Sequence, residues 1–313
     1  MNDMKNNTRC AVIAVIGAPY AGKSTLVNAL VVAKISIVTQ KVQTTRARVR
    51  GILTEDEAQL VFIDTPGIFT PRRRLDRAMV AAAWEGLDGA DLTLMMVDAP
   101  AFLAGETERG AAGKSRIDAE RIIEGLKNTD RKAVLVLNKI DDIARPKLLA
   151  LAQELNEAGV FTDVFMISAK NGDGLGDLRK FLLEKAPAGP WLYPEDQLSD
   201  ITDRLMAAEV TREKLFLRLH QELPYDSTVE TESWKETSSG IRIDQTIYVA
   251  RDSHKPIVLG KNGQTLKAIG QAAREQLTGI LGVPVHLFLH VKVREGWAEE
   301  GARLRSIGLD SVE

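Results

Sequence analysis

In the N-terminal half of the chain, short apolar runs alternate with segments whose apolar positions recur every three or four residues. The runs lie at residues 11–16, 60–63, 92–97, 133–137 and 164–167, and the helix-like segments at 24–30, 78–87, 119–126, 147–158 and 175–183. A continuous apolar run marks a strand buried on both faces, so the alternation predicts a mostly parallel sheet covered by helices on both sides. Residues 46–53 read as a further strand, joined to 60–63 by the polar turn 54–57, which makes one sheet edge antiparallel. At residues 186–194 three prolines and a glycine fall within nine positions, a stretch that continues neither a helix nor a central strand. The grammar then changes: a long amphipathic helix near 201–219, a hairpin of 228–235 and 241–250 turning at 238–240, a Gly-Lys-Asn-Gly loop, a helix near 264–277 and a last strand over 285–293. The predicted architecture is an α/β domain over 1–186, a Pro-rich linker over 187–195 and a smaller α+β domain over 196–313.

Composition narrows the functions open to such a chain. Its 313 residues suffice for about two domains. Lysine and arginine total 41 against 43 aspartate and glutamate, a net charge of −2. A basic coat for indiscriminate polyanion binding is excluded, while a focused basic patch is not. The single cysteine, Cys10, excludes internal disulfides and cysteine-held zinc, and suits a reducing compartment. Residues 1–10 are polar and lack the apolar core of a signal peptide, and no run of 18 apolar residues occurs. A cytoplasmic protein is expected.

Candidate chemistry sits at the ends of the apolar runs. Gly17-Ala18-Pro19-Tyr20-Ala21-Gly22-Lys23-Ser24 follows the first run and opens a helix, the setting a phosphate-binding loop requires. Backbone amides there close around phosphates, and the helix N-terminus adds a favourable dipole. Lys23 is placed for the β- and γ-phosphates and Ser24 for Mg²⁺, with Thr25 next on the helix. Asp64-Thr65-Pro66-Gly67 ends a second run, where Asp64 would hold Mg²⁺ through water and the Gly67 amide would approach the γ-phosphate. Asn138-Lys139-Ile140-Asp141 ends a third. A carboxylate at Asp141 accepts hydrogen bonds from guanine N1–H and the exocyclic amine; adenine offers an acceptor and no amine there, and would be rejected. Asn138 would bond the guanine ring edge and the loop backbone, with the Lys139 stem along the base face. Ser168-Ala169-Lys170 follows the last run, where a backbone amide meets guanine O6. Each motif is weak alone. Four in this order, all at strand ends, specify a site for GTP or GDP with Mg²⁺.

In the C-terminal part, Gly260-Lys261-Asn262-Gly263 leads into a helix carrying Lys267 and matches the Gly-x-x-Gly loop of a KH domain, which packs against the backbone of single-stranded RNA. Residues 251–294 carry seven basic side chains against Asp252 and Glu275, whereas the region after Pro190 has 15 basic and 19 acidic residues. A focused RNA site is expected.

Together the four nucleotide motifs resemble those of the translation-factor-related class of small GTPases, and Gln43-Thr44-Thr45-Arg46 resembles the first switch of its Era family. Residues 212–225 and 284–297 also look like signatures of that family, and the similarity covers nearly the whole chain. The resemblance implies that Thr45, ahead of Thr44, meets Mg²⁺ and the γ-phosphate, and that Lys23, Thr45 and Gly67 serve catalysis. It implies a GTPase that binds near the 3′ end of 16S rRNA through Gly260–Gly263 and Lys267 and assists assembly of the 30S subunit, nucleotide state gating RNA binding. A monomer in the cytoplasm, peripherally associated with the inner membrane, belongs to the same picture. The rival reading is a GTPase acting at the membrane or in cell-cycle signalling with no ribosomal RNA duty.

Three features depart from the pattern. Ile68 stands where Ras-like enzymes carry a water-orienting glutamine, so slow hydrolysis is expected. Tyr20 stands where relatives carry an asparagine that helps hold a monovalent cation, and a tyrosine lacks the amide carbonyl, so potassium is not carried over. Residues 104–116 read as an insertion and a mobile surface loop. Their Gly113-Lys114-Ser115 lacks the upstream glycine, Glu108 standing there, and is not a second nucleotide site. Arg72-Arg73-Arg74 reads as a solvated switch segment, and His286 with His290 as a packed or solvated pair.

Overall fold

A computed structural model describes residues 7–39, 41–108, 110–220 and 223–309. Most of the polar N-terminal stretch, Arg109 of the 104–116 segment, and Gln221 and Glu222 of the 212–225 signature lie outside the described residues. Two compact units are formed, one from residues 1–36, 45–72 and 76–200, the other from 37–44, 73–75 and 201–313.

The first unit is built on a six-stranded sheet in the order β2-β3-β1-β4-β5-β6, with strands β1 (Arg9–Gly17), β2 (Val49–Glu55), β3 (Ala58–Asp64), β4 (Leu92–Asp98), β5 (Ala133–Asn138) and β6 (Phe161–Ile167). Only β2 runs antiparallel to its neighbour. Strand residues alternate between two cores, as the two-residue period requires. Ile13, Val15, Phe62 and Val136 face one core, closed by α1 (Lys23–Val31) and α6 (Leu175–Lys185) through Leu26, Leu178 and Leu182. Ala14, Ile16, Met95 and Leu137 face the other, closed by α2 (Arg74–Glu85), α3 (Ala99–Ala104), α4 (Ala111–Asn128) and α5 (Arg145–Asn156) through Ala83, Phe102, Ile122 and Leu151.

Two expectations need correction. Strand β2 begins at Val49 and runs through Glu55, because pairing with β3 sets its length: Val49 lies opposite Asp64 and Glu55 opposite Ala58, leaving a two-residue turn with Asp56 at φ +51°. The 104–116 segment is not a loop throughout. Ala111–Arg116 form the first turns of α4, and the Gly113-Lys114-Ser115 triplet is helical. Arg116 organises the rest, donating to Glu106, Glu120 and Glu154 at 3.0, 2.8 and 2.8 Å while lying 4.4 Å over the Phe102 ring. One guanidinium shared by three carboxylates and an aromatic face holds α3, α4 and α5 together. The arginine run is exposed at Arg72 and Arg73, as expected of a solvated segment, while Arg73 also pairs with Asp226 at 2.6 Å and Arg74 donates to the Glu299 carbonyl at 2.9 Å.

Helix α4 also carries Asp118, whose carboxyl burial pushes up to about 6 against the pull of Arg121 and Lys114. A raised carboxyl pKa means the folded state favours the neutral form, so stability is lost as pH rises from the unfolded value of about 3.9 through 6. The Asp118→Asn variant is therefore expected to melt a few degrees above the parent at pH 7.5, for about 1 kcal/mol after screening at a half-buried site. The gap should narrow towards pH 4, and differential scanning calorimetry at both pH values reads it.

The Pro-rich stretch lies along the first unit as extended chain. Cys10 N–H donates to Pro187 O at 3.0 Å, Gln59 bonds both amides of Leu192 and Tyr193 and the Tyr193 carbonyl, and Ile52 N–H reaches Leu198 O.

In the second unit α7 (Asp203–Arg218) and α9 (Gln264–Leu281) pack on one face of a three-stranded sheet of β7 (Ser227–Thr237), β8 (Gly240–Val249) and β9 (Val285–Val293). Strands β7 and β8 are antiparallel, β8 and β9 parallel. Leu215, Phe216, Ile243, Ile247, Ile269 and Leu277 fill the space between the layers. A short helix α8 (His254–Leu259), too brief to show a period in sequence, precedes the Gly-Lys-Asn-Gly loop, and α10 (Gly301–Ser306) closes the described chain. Buried Trp297 anchors that end, its indole donating to Asp226 O at 3.0 Å.

Candidate nucleotide and RNA sites

All four nucleotide motifs lie at the C-terminal ends of parallel strands, β1, β3, β5 and β6, the edge where open α/β sheets bind ligands. The phosphate loop closes tightly there. Gly22 sits at φ +97° and its position has no room for a side chain, since a Cβ would fall 2.2 Å from the Asn138 amide nitrogen. Lys23, buried at the start of α1, donates to Gly17 O and Ala18 O at 3.1 and 3.0 Å. Burial pulls its pKa down to about 8, with Asp64 acting the other way. Gly67 is packed against the loop, where a Cβ would meet Pro19 N at 2.9 Å, and Ile68 N–H donates to Gly17 O at 3.1 Å. The Ile68 side chain is fully buried in the core beneath and presents nothing to a water. Tyr20 holds a left-handed backbone at φ +67°, a conformation asparagine tolerates far better than tyrosine.

The oxygens suited to a cation converge beside Lys23. Ser24 Oγ and Thr45 Oγ1 lie 2.8 Å apart. Thr44 is turned elsewhere, its hydroxyl donating to Lys41 O at 2.6 Å and pairing with Thr39. Asp64 is wholly buried, and neither carboxylate oxygen completes a hydrogen bond with a described residue. Desolvation raises its pKa, while the hydroxyls of Ser24, Ser36 and Thr45 and the Lys23 ammonium lower it. Two hydroxyls, an unpartnered carboxylate and a phosphate loop fit Mg²⁺, a hard ion that keeps part of its water shell. Thr65, assigned to the nucleotide on sequence, bonds Val15 O at 2.7 Å and so ties β3 to β1.

At the base-reading end, Asn138 is a tie between loops. Its amide nitrogen donates to Ala21 O at 2.8 Å and its oxygen accepts from Ala169 N–H at 2.9 Å. The expected tie from Asn138 to the loop backbone is these two bonds, which lock the phosphate loop to Ser168-Ala169-Lys170 and use one of its two amide protons. Lys139, at φ +66°, pairs through its ammonium with Asp98, the N-cap of α3. Sequence reasoning missed Asp98, although a charged residue closing the apolar run of β4 was a usable signal. Asp141 is exposed, and the Ser168 hydroxyl holds its carboxyl below the usual carboxylate range.

The second unit keeps Val38, Lys41, Gln43 and Thr44 on helix α7. Glu213 accepts from Val38 N–H at 3.0 Å, the buried Arg212 donates to Gln43 O at 3.1 Å and to Thr44 O, and Lys41 donates to the carbonyls of Phe216 and Leu219. These helix residues read from the sequence only as part of a signature, without a role. Between α8 and α9, Gly260 has φ +72°, and a Cβ there would lie 2.2 Å from Thr265 Oγ1. Lys261, Asn262 and Lys267 are exposed around the loop. A cleft of about 470 Å³ opens beside it, lined by Leu217, Arg218, His220, Gln264, Thr265 and Ala268.

A phosphate-loop GTPase domain joined to a KH domain is the class that this fold and site define. Family models agree, one described as a 50S ribosome-binding GTPase matching residues 12–139 and one as a KH domain matching residues 222–298. The chain is 57% identical over 313 residues to the GTPase Era of Caulobacter vibrioides, covering 99% of both chains, and 57% identical over 304 residues to that of Brucella suis, covering 97% of this chain and 94% of the relative. Its fold is similar to that of an Era in complex with MgGDPNP and nucleotides 1506–1542 of 16S ribosomal RNA, at 36% identity and a TM-score of 0.88, covering 97% and 99% of the two chains. A point variant of Aquifex aeolicus Era bound to GDP and AlF4⁻ is similar at 37% identity and a TM-score of 0.88, covering 97% and 100%. The chain belongs to the Era family and is a GTPase.

Proposed function

We propose that the chain hydrolyses Mg²⁺-bound GTP slowly and uses its KH loop to bind the 3′ region of 16S rRNA, assisting assembly and maturation of the 30S subunit. Three domain-scale pieces serve this: a GTPase domain over 1–186, a linker over 187–195 and an RNA-binding domain over 196–313. Gly17 to Thr25, Asp64 to Gly67, Asn138, Lys139, Asp141 and Ser168 to Lys170 hold the nucleotide, with Ser24, Thr45 and Asp64 about the metal. Lys23 and the Gly67 amide stabilise charge on the γ-phosphate and Thr45 orders the first switch. Mg²⁺, when bound, neutralises phosphate charge as it develops. The observation that carries this reading is the buried, unpartnered Asp64 carboxylate beside the Ser24–Thr45 hydroxyl pair. Slow hydrolysis follows from Ile68, whose side chain belongs to the core.

RNA recognition rests on the Gly260–Gly263 loop with Lys261 and Lys267, and on the relative of similar fold that holds nucleotides 1506–1542 of 16S rRNA. Nucleotide state gates RNA binding in this proposal, and equal RNA affinity in GDP and GTP-analogue complexes would defeat the gating. A cytoplasmic, monomeric protein with peripheral contact to the inner membrane completes the picture, on family resemblance alone. Among the described residues no helix is long and apolar enough to cross a membrane.

The test is crosslinking to RNA in cells, followed by sequencing of the bound fragments. Gly263→Asp is the cleaner variant: a Cβ at Gly263 meets nothing within 4 Å, whereas one at Gly260 strikes Thr265 inside the loop. A carboxylate on the exposed side of the loop repels the phosphate backbone, so enrichment at the 16S 3′ end is expected to fall about tenfold or more. Crosslinks that persist in the variant would favour the membrane or signalling reading.

A further inference from the structure

Five parallel strands end on the nucleotide edge, and four of them carry a motif there. The fifth, β4, runs between β1 and β5 and ends in Asp98, the register partner of Asn138 on β5. That carboxylate is only 7% exposed, and both of its oxygens are engaged. Oδ1 accepts from Ala101 N–H at 3.0 Å as the N-cap of α3, and Oδ2 takes the Lys139 ammonium. Strand pairing fixes the Asp98 backbone and the helix cap fixes its side chain, so Lys139 is tied to a rigid anchor.

What is anchored is an otherwise loose group. A lysine has a four-carbon stem with many rotamers, and ordering such a stem on a ligand costs free energy at every binding event. Here only the head is tied, for 36% of the Lys139 side chain stays exposed although its ammonium is paired. The backbone adds a second constraint. Lys139 sits at φ +66°, a conformation that residues with a Cβ adopt rarely, and it caps the single turn Ile140–Asp142 that carries Asp141. The stem that would lie along the base face and the carboxylate that would read the guanine edge thus leave one strand end. Asp98 holds that end from the neighbouring strand.

We propose that Asp98 is a positioning residue for guanine-nucleotide binding: it pins the Lys139 ammonium so that the lysine stem already stands as a wall of the base site when the nucleotide arrives. Asp98 acts only through Lys139. Preordering spares the nucleotide the cost of immobilising one long side chain, which amounts to about three- to tenfold in affinity. The inference rests on the reading of residues 138–141 as the base site and deepens it, adding a residue from a strand that none of the motifs includes.

The test measures GDP affinity and dissociation rate of the full chain, by competition with a fluorescent guanine nucleotide, in the parent, Asp98→Asn and Asp98→Ser. Asparagine and serine both cap helices well, so α3 keeps its N-terminus and only the anchor for the ammonium is lost. GDP affinity is expected to fall about three- to tenfold in both variants, mostly as faster dissociation. Lys139→Met, which keeps an apolar stem without the charge, separates this from a role confined to α3. In that background Asp98→Asn should change GDP affinity no further, whereas an effect through the helix would persist. Unchanged affinity in either capping variant, or the same loss with and without the Lys139 ammonium, would overturn the proposal. A parent that binds ADP as tightly as GDP would overturn the base-site reading itself, and this inference with it.

Discussion

Asp141→Asn is expected to exchange guanine for xanthine as the preferred base. The carboxylate is exposed and kept ionised by the Ser168 hydroxyl, so it is ready to accept two hydrogen bonds from the guanine edge. Bonds to a charged group are stronger than neutral ones, and losing both should weaken GDP binding by about 10²- to 10⁴-fold. Xanthine carries a carbonyl where guanine carries the amine, and the new amide donates to it. Competition of a fluorescent guanine nucleotide by GDP and by xanthosine diphosphate measures the exchange. The ties that hold the loop, Lys139 to Asp98 and Asn138 to Ala21 and Ala169, do not involve the substituted side chain. The fold should survive. An unchanged preference would remove Asp141 from base recognition.

The second large effect is expected at Lys23. Replacing it with alanine removes the buried ammonium of the phosphate loop, and phosphate release under single-turnover conditions should fall by about 10²- to 10³-fold or more, as for other preorganised charge-stabilising groups. The same residue gives a pH signature. Without phosphates its pKa is lowered to about 8 by burial, below the ordinary value near 10.4. Between those values the unfolded chain binds more protons, so stability of the nucleotide-free fold rises with pH across that window. A bound polyphosphate restores the charged form, so nucleotide binding at about pH 8.5 should take up a proton. Calorimetry in buffers of different ionisation enthalpy would detect the uptake in the parent and its absence in Lys23→Ala.

Much of this site is legible in sequence because each motif is a local device with its own grammar. Gly17 to Ser24 needs only a strand before and a helix after, and Asn138 to Asp141 needs only the end of a buried strand. Their common edge follows from parallel topology, which the alternation of apolar runs and amphipathic segments already implies. Sequence reasoning fails where a residue's role depends on a partner distant in the chain. Asn138 reads as a base contact and a loop tie, but only the fold names the loop partners, Ala21 and Ala169. Arg73 reads as solvated and is exposed, but its pairing with Asp226 at 2.6 Å was hidden by their distance in the chain. The 104–116 segment reads as a loop because its glycines and charges hide a helix start, and the role of Arg116 exists only through Glu106, Glu120, Glu154 and Phe102.

The amino-acid sequence by itself determined the two-domain plan, the alternation that makes a doubly covered sheet, the order of the nucleotide motifs and the choice of guanine. Each of these depends on spacings of a few residues, which local backbone geometry converts directly into position. Tertiary structure decided which of two adjacent threonines faces Ser24, that Thr65 serves the sheet, that Asp98 clamps Lys139 and that Asn28 holds the backbone of Ile35 and Ser36. Those outcomes turn on hydrogen bonds and burial between segments far apart in the chain. A hydroxyl or a carboxylate has the same local propensity whether it meets a partner, a cation or water, so only the packed fold distinguishes them.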